Sequence, residues 1–387
     1  MTVLTPIAAF ADQLKVIQQD LHAHPELGFE EVRTSGIVAE TLRGFGVDEL
    51  HTGLGGTGVV AVIHGNTPGN RRIGLRADMD ALPIHETSGL PYASTTPGVM
   101  HACGHDGHTT MLLGAAKYLA ETRDFAGSAV LVFQPAEEGL GGARRMLADG
   151  LFEQFPCDEI YGMHNSPDGQ PGKVGICKGA AMAGASFFDI HIAGRGSHAA
   201  APHMSRDALM IAATLSTQLQ TILSRNIPPQ ETCVLSITQL HAGSAYNVVP
   251  DTAVLAGTIR YFKDEVHDLA VARLRAICDG FAAAHDVEIA VDVRNVFDVL
   301  MNDADLSDAY AQAAADIVGA ENVDAQDAPV TGSEDFADML KVVPGAYCRL
   351  GHAGTVALHN PGFMLDQGIL PVGASIMARI VERRLPV

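Results

Sequence analysis

The feature that most constrains the fold is a change in the pattern of predicted strands and helices near Met182. Before it, short apolar stretches typical of buried strands alternate with segments of helical spacing. The predicted strands cover residues 57–65, 71–79, 128–135 and 158–165, and the predicted helices cover 107–122 and 142–153. Buried strands separated by helices predict a mixed or parallel sheet that is covered on both faces.

Beyond Met182 the predicted elements follow a different order. Strands at 184–196, 231–243, 251–262 and 287–297 are separated by helices at 206–225 and 263–286. This β-α-β-β-α-β order is that of a ferredoxin-like unit, which forms a complete small domain. The rest of the chain returns to helix-rich sequence. We therefore expect an α/β protein in which residues 1–181 and 298–387 form one α/β/α domain with a mixed sheet, interrupted by an inserted ferredoxin-like domain at 182–297.

Charge and apolar content exclude several classes of partner. The net charge of −20 argues against nucleic-acid binding, which needs clustered Lys and Arg. No stretch approaches the roughly 20 apolar residues of a membrane span, so we expect no membrane partner. The N-terminal segment resembles an amphipathic helix rather than a signal peptide, and six scattered cysteines suit a reducing compartment. These observations predict a cytoplasmic protein.

The segment HACGHDGH, residues 101–108, holds three histidines and one cysteine in eight positions. Imidazole nitrogen and thiolate sulfur are metal ligands, although a single His or Cys is more often structural. Four such residues this close together favour metal binding, but they can supply only part of a ligand shell.

Further ligand-type residues stand where predicted strands end. Glu137 and Glu138 follow the strand at 128–135, His164 ends the next strand, and Asp78 and Asp80 end the strand at 71–79. Since α/β sheets place their sites at the carboxyl ends of strands, these side chains should meet at one rim. A turn near the C-terminus adds a further histidine, and the expected ligands are Cys103, His105, Glu138, His164 and His359.

Five ligands with two further carboxylates exceed the needs of one tetrahedral ion. Two divalent ions about 3.5–4 Å apart would use such a set, activating water and polarising a carbonyl. A nearby carboxylate can then take the proton of the water and deliver it to a leaving amine. The residues alone therefore predict metal-assisted hydrolysis of an acyl bond.

Eight motifs, in order along nearly the whole chain, resemble those of the aminoacylase and carboxypeptidase metallopeptidases. They are RADMDALP, HACGHDGHT, FQPAEEG, GMHN, GRGSHAAAPH, NVVPDTAVLAGTIR, GSEDF and LHNPGF. The resemblance is to the amidohydrolase branch, which includes hippurate hydrolase, auxin-conjugate amidohydrolases and N-acetyldiaminopimelate deacetylase. It implies a catalytic α/β domain interrupted by a ferredoxin-like lid that often dimerises, so the chain is expected to form a homodimer or homotetramer.

The resemblance also implies roles for individual residues. Cys103, His105, Glu138, His164 and His359 would bind two divalent ions, which could be Zn, Mn, Co or Ni. Glu137 would be the general base, and Asp80 would orient a ligand. In the lid, His198 would polarise the scissile carbonyl, while Asn247 and Arg260 would hold the substrate carboxylate. His101 and His108 match no ligand, and Asp78 stands where distant relatives have a metal-binding histidine.

The function implied is cleavage of small N-acyl-amino acids of the hippurate type to a carboxylic acid and a free amino acid. Deacetylation of N-acetyl-amino acids or of N-acetyldiaminopimelate is the alternative. Two other classes of function remain open. GLGGTG at 53–58 fits the G-x-G-x-x-G fingerprint of an NAD-binding oxidoreductase, but it precedes a predicted strand instead of opening a helix. A non-catalytic, metal-binding relative should lack Glu137 or a ligand, and none is missing.

Overall fold

The computed structural model describes residues 2–387, which fold into two compact units. The first consists of the chain up to Ala181 together with Leu300–Pro329 and Glu334–Val387. The second consists of Met182–Val299 and Val330–Ser333.

The helices and strands are numbered in chain order. The helices are α1 (Thr5–Ala9), α2 (Ala11–Ala23), α3 (Val32–Phe45), α4 (His105–Thr122), α5 (Gly142–Ala148), α6 (Leu151–Gln154), α7 (Ala208–Leu219), α8 (Thr221–Arg225), α9 (Asp264–His285), α10 (Ala304–Val318), α11 (Phe336–Leu340) and α12 (Leu370–Arg384). The strands are β1 (Glu49–Leu54), β2 (Gly58–His64), β3 (Thr67–Asp78), β4 (Ala126–Gln134), β5 (Glu159–Ser166), β6 (Val174–Gly175), β7 (Gly179–Met182), β8 (Gly184–Ala193), β9 (Ser197–His198), β10 (Cys233–Ala242), β11 (Val248–Val249), β12 (Thr252–Tyr261), β13 (Glu288–Phe297), β14 (Leu300–Asn302), β15 (Val323–Asp324) and β16 (Gly345–Gly351). Short 3-10 turns cover Pro202–Met204, Ala320–Asn322 and Gln367–Ile369.

The first unit is built on an eight-stranded mixed sheet in the order β1-β2-β4-β3-β5-β16-β6-β15. Its central strands β4, β3, β5 and β16 are parallel neighbours. Strand β2 runs antiparallel to both of its neighbours, β1 and β4. Every residue of β4 from Gly127 to Gln134 is buried, as expected for a strand covered on both faces. Helix α4 packs against α2, α3 and α12. The predicted α/β class with a mixed sheet is confirmed.

The parallel strands bring their carboxyl ends to one edge of this sheet. Asp78 at the end of β3 pairs in register with Gln134 at the end of β4, and Arg76 pairs with Gly162 of β5. The loops after β3, β4 and β5 therefore leave the sheet side by side. This edge is where open α/β sheets place their sites.

The second unit has a four-stranded antiparallel sheet in the order β10-β12-β8-β13. Helices α7 and α9 pack against this sheet. In chain order its main elements read β8, α7, β10, β12, α9, β13, which is the β-α-β-β-α-β succession of a ferredoxin-like unit. Strands β9 and β11 form a separate two-stranded ladder.

The structure departs from the sequence pattern where glycines bend the backbone. The helix expected at 142–153 divides into α5 and α6, and Gly150, the residue directly before α6, has φ = +86°. The segment GLGGTG spans the turn of the antiparallel β1–β2 hairpin, with φ = +90° at Gly53 near the end of β1 and +68° and +100° at Gly55 and Gly56 in the turn. No helix follows that turn directly, so the segment lacks the strand-to-helix geometry of a dinucleotide-binding loop.

Within residues 2–387, none of the helices combines the length and the apolar character that crossing a membrane requires.

A buried histidine joins α2 to the N-terminus of α4 and to the loop between β3 and α4 that contains Glu86. His22 Nδ1 lies 2.8 Å from Asp106 Oδ2, and its Nε2 lies 3.2 Å from Glu86 Oε1. Burial lowers the pKa of His22, but the two carboxylates outweigh it and raise that pKa to about 10. The protonated ring therefore links α2, the N-terminus of α4 and the Glu86 loop.

We expect this imidazolium to make the protein less stable as the solution becomes alkaline. Because the folded pKa of His22 lies above its unfolded value, its contribution is complete below about pH 6.5 and is lost as pH rises towards 10. Each pKa unit corresponds to about 1.4 kcal/mol. Urea unfolding between pH 6 and 10 should show a steeper loss of unfolding free energy for the wild type than for His22→Gln. His51→Gln, at a half-exposed position, is the control and should follow the wild type. Parallel curves for the wild type and His22→Gln would contradict the assignment.

Candidate metal centre

All five sequence-predicted ligands lie together at the edge of the first unit's sheet. Their donor atoms form overlapping groups, within each of which the atoms lie within 4.8 Å of one another. The groups are Cys103–His105–His164, Cys103–Glu138–His359 and His105–Glu137–Glu138. The cluster thus also contains Glu137, which the sequence assigns a different role.

Local backbone geometry explains how each ligand reaches this edge. His105 is the first residue of α4, and Gly104 before it has φ = +89°, a conformation that favours glycine. Glu137 and Glu138 directly follow Ala136, which has φ = +53° at the exit of β4. His359 also has a positive φ, +60°, and its backbone N–H donates to the Ala102 carbonyl. Left-handed non-glycine residues are uncommon, and they concentrate at functional sites.

Short distances connect the cluster. Cys103 Sγ lies 3.4 Å from His164 Nε2, and His359 Nε2 lies 3.2 Å from Glu138 Oε1. Asp80 contacts two members: its Oδ1 lies 3.1 Å from His105 Nδ1, and its Oδ2 accepts the backbone N–H of Glu138. Asp80 therefore fixes the His105 ring with Nε2 directed away from it.

Two buried donor atoms of the cluster have no hydrogen-bond partner within residues 2–387. They are His105 Nε2 and Glu138 Oε1; the latter lies 3.2 Å from His359 Nε2 as an ion pair, without the geometry of a hydrogen bond. A buried polar atom without a partner is costly, and an ion in the cluster would satisfy both. Thiolate, imidazole and carboxylate are the donors that Zn²⁺, Co²⁺ and Ni²⁺ accept in proteins. The residues present therefore fit a divalent metal site.

Burial dominates the electrostatics of the cluster. It raises the pKa of the Cys103 thiol, and Glu138 adds to the effect. Burial holds the pKa of His164 well below its usual value, which keeps that ring neutral, the form that binds metal. Burial, with the carboxylates of Glu334 and Glu138, raises the pKa of Glu137 well above the ordinary value. A divalent cation would favour the deprotonated thiolate and carboxylates.

The two remaining histidines of HACGHDGH are held differently. His101 is buried and neither of its ring nitrogens has a hydrogen-bond partner within residues 2–387; burial lowers its pKa to about 4. His108 Nδ1 lies 2.6 Å from Asp78 Oδ1, and His108 Nε2 accepts the backbone N–H of Asn165. Asp78 also accepts from Arg76 at 2.7 Å, so both of its carboxylate oxygens have partners. Asp78, His105 and His108 nevertheless lie close enough to form a further group of potential ligands.

Sequence reasoning missed a buried ionic network behind the cluster. Arg76 is 1% exposed and donates to Asp78, to Glu334 at 2.8 Å and to Asp335 at 3.2 Å. The backbone N–H of Asp335 in turn donates to Glu137 Oε1. The available signal was the single arginine within the apolar second half of β3, residues 73–78, because Arg is almost never fully buried unless paired.

The three substrate-side residues lie in the second unit, and two of them are neighbours. His198 pairs with Val248 in the β9–β11 ladder, and the Ala199 N–H donates to the Asn247 carbonyl at 2.9 Å. The Ala200 N–H donates to His198 Nδ1, and the residue is exposed. An open cavity of about 780 Å³ is lined by His198 and Asn247 among other residues.

Arg260 lies apart from this pair. It stands near the end of β12, whereas Asn247 precedes the start of that strand at Thr252. The eight residue steps from Thr252 to Arg260 alone span about 26 Å. Its Nη1 donates to Ser333 Oγ at 2.6 Å, and burial lowers the pKa of Arg260. No carboxylate within residues 2–387 pairs with it. Arg260 and Asn247 of one chain are therefore too far apart to hold the same carboxylate.

Comparisons with known proteins find relatives that match over nearly the whole chain. The hippurate hydrolase of Campylobacter jejuni is 41% identical over 386 residues, covering 100% of both chains. An N-acetylcysteine deacetylase of Bacillus subtilis is 38% identical over 96% of this chain and 97% of its own.

Solved structures match over nearly the full length. A putative aminohydrolase from methicillin-resistant Staphylococcus aureus superposes with a TM-score of 0.89 at 32% identity, covering 98% of each chain. A dinuclear metal-binding peptidase of the M20 family from Bacillus subtilis has a TM-score of 0.84 at 34% identity, covering 98% of this chain and 99% of its own. The model of peptidase family M20/M25/M40 matches residues 74–383. The chain belongs to peptidase family M20/M25/M40.

Proposed function

We propose that this protein is a metal-dependent amidohydrolase that cleaves the amide bond of N-acyl-amino acids of the hippurate type. The observation that carries the proposal is the convergence of five metal-type ligands with a buried Glu137 at one edge of the sheet. The products would be a carboxylic acid and a free amino acid. The hippurate hydrolase among its relatives supports this substrate class.

Two divalent ions are the proposed cofactor, held by Cys103, His105, Glu138, His164 and His359. The ligand groups share Cys103, His105 and Glu138, as expected where neighbouring ions have ligands in common. When bound, the ions would lower the pKa of water and polarise the scissile carbonyl. Thiolate and imidazole suit Zn, Co or Ni, and Mn is a further candidate.

Protein side chains would carry the proton. The Glu137 carboxylate accepts a proton from the attacking water and delivers it to the nitrogen of the leaving amino acid. The raised pKa of Glu137 suits a group that first accepts a proton and later donates it. Asp80 keeps the His105 ring oriented through Nδ1.

In the second unit, we assign His198 to the scissile carbonyl, and Asn247 and Arg260 to the substrate carboxylate. The Arg260 guanidinium, without a carboxylate partner in the described chain, suits an anion-binding residue. Because Asn247 and Arg260 of one chain cannot meet, their joint action requires a second copy. We therefore propose a homodimer or homotetramer, located in the cytoplasm, where the six free cysteines would stay reduced.

The alternative function is deacetylation of N-acetyl-amino acids or of N-acetyldiaminopimelate. Deacetylases of both kinds are among the relatives, at 38% and 36% identity over at least 95% of this chain. They would use the same centre and differ only in the acyl group and amino acid accepted.

A substrate panel tests the proposal. The protein loaded separately with Zn, Mn, Co or Ni should hydrolyse hippurate, while N-acetyl- and indoleacetyl-amino acids measure the breadth of acyl groups accepted. Hippuramide, the matched control without a carboxylate, should be a poor substrate because Arg260 and Asn247 would have no anion to bind. Preference for N-acetyl-amino acids would favour the alternative. A metal-replete protein inert on the whole panel would indicate a non-catalytic relative.

A further inference from the structure

Asn165, which follows the ligand His164 at the end of β5, makes contacts that the proposed chemistry leaves unexplained. Its side chain is buried, and Nδ2 donates to the Cys103 carbonyl at 2.6 Å. Its own backbone carbonyl accepts from His164 Nδ1 at 2.6 Å. One residue is therefore bonded to two proposed ligands that come from distant parts of the chain.

Two histidines hold the Asn165 carboxamide in place. His352 Nε2 lies 3.1 Å from Asn165 Oδ1, and His108 Nε2 lies 3.0 Å from Nδ2. His108 is itself fixed, because its Nδ1 bonds Asp78 at 2.6 Å. Since His108 Nε2 accepts the Asn165 backbone N–H, its ring proton lies on Nδ1 and is donated to Asp78. The orientation of the carboxamide is thus set by contacts at both its oxygen and its nitrogen.

The turn at Cys103 is shaped to this carboxamide. A Cβ atom on Gly104 would lie 2.4 Å from Asn165 Nδ2, so only glycine allows the turn to approach this closely. With φ = +89°, Gly104 also has a backbone conformation that other residues rarely adopt. The bond from Asn165 then fixes the Cys103 carbonyl while Cys103 Sγ lies 3.4 Å from His164 Nε2.

We propose that Asn165 is a positioning residue for the ligand Cys103. Its carboxamide holds the Cys103–Gly104 turn so that Cys103 Sγ faces the metal pair beside His164 Nε2. His108 and His352 hold the carboxamide, which gives His108 a role without making it a ligand. The inference rests on the proposed function, because it takes Cys103 to be a metal ligand. Partners that orient ligands typically change metal affinity 10–100-fold when they are replaced.

The test uses the full chain loaded with Co²⁺, whose bond to a thiolate gives a charge-transfer absorption in the near ultraviolet. Asn165→Asp keeps the shape of the side chain but places an anionic oxygen where Nδ2 donates to the Cys103 carbonyl. We expect the variant to lose most of this absorption and to bind Co²⁺ about 10–100-fold more weakly than the wild type.

Asn302→Asp is the matched control. Asn302 is also buried in the first unit, and its side chain likewise bridges backbone groups, donating to the Cys177 and Tyr347 carbonyls and accepting from the Tyr347 N–H. It has no bond to a proposed ligand. If Asn165 only stabilises the fold, the two variants should lower the melting temperature similarly and leave the Co²⁺ spectrum unchanged. A loss of absorption confined to Asn165→Asp supports the positioning role.

The outcomes separate this inference from the proposed function. A wild-type Co²⁺ protein without thiolate absorption would overturn Cys103 as a ligand and, with it, the proposed metal set. A wild-type absorption that persists in Asn165→Asp, with Co²⁺ affinity changed less than about twofold, would overturn only the positioning role. If Asn165→Asp does not fold, His352→Phe removes one bond to the carboxamide while keeping a ring. It should weaken Co²⁺ binding severalfold, and an unchanged affinity and spectrum would overturn the inference.

Discussion

Glu137→Gln should retain its metal and lose hydrolysis. Glutamine keeps the oxygen that accepts the Asp335 N–H but cannot take a proton from the attacking water. Losing a general base typically costs 10²–10⁴-fold in rate, so kcat for hippurate should fall by about that factor. Metal analysis of the purified variant, alongside its steady-state kinetics, makes the measurement.

Glu138→Gln is the matched control, because it changes the adjacent carboxylate in the same way. Glu138 lies near Cys103 and His359 in one ligand group and near His105 in another, so its loss should weaken metal binding directly. The two neighbours should therefore differ: full occupancy without turnover for Glu137→Gln, and reduced occupancy for Glu138→Gln. Near-normal turnover by Glu137→Gln would show that another group takes the proton.

The chemistry of the centre was predictable because its residues stand at strand ends and helix starts. Glu138 follows the apolar strand β4 and His164 lies near the end of β5; the parallel pairing of both strands with β3 brings their ends to one edge, where His105 opens a helix. The spacing of apolar residues and the order of strands can be read from local sequence, and they were enough to predict the sheet that brings these side chains together. The ligand cluster follows from that sheet.

What sequence reasoning missed depends on contacts between distant residues. Asn165 bonds His108 and His352, which lie 57 and 187 residues away in the chain, and Arg76 bonds Glu334 at a separation of 258. An arginine within an apolar stretch can indicate burial, but the local pattern does not identify the distant carboxylates that pair with it. The segment GSEDF was recognised only as a motif, although its acidic pair completes the network around Arg76.

Sequence motifs also do not predict the separation between Arg260 and Asn247. Both residues belong to the segment NVVPDTAVLAGTIR, where they appear as one substrate-binding motif. In the structure most of that segment is the extended strand β12, so the two residues lie near its opposite ends. A short sequence motif thus places its two functional residues towards opposite ends of a strand whose span from Thr252 to Arg260 alone is about 26 Å.

That separation predicts complementation between two inactive variants. Under the proposed function, His198 and Asn247 serve the centre of a partner subunit, since Asn247 cannot act beside Arg260 of its own chain. Glu137→Ala and His198→Ala should each be nearly inactive, and a lost donor to a developing oxyanion typically costs about 10²–10³-fold. Co-expressed, they should form hybrid dimers with one site that has both an intact Glu137 and an intact His198.

Random pairing sets the size of the recovery. About half of the dimers in a closed twofold assembly would be hybrids with one good site of two, so about a quarter of wild-type activity should return. Co-expression of Glu137→Ala with Glu138→Ala is the control: both lesions lie in the same centre, so every site in a hybrid lacks one of the two carboxylates. Distinct affinity tags on the two chains allow the hybrid fraction to be purified and assayed directly. Purified Glu137→Ala/His198→Ala hybrids as inactive as the control hybrids would show that His198 does not act across subunits. The roles of Arg260 and Asn247 would then have to be separated, because one chain cannot bring them to the same carboxylate.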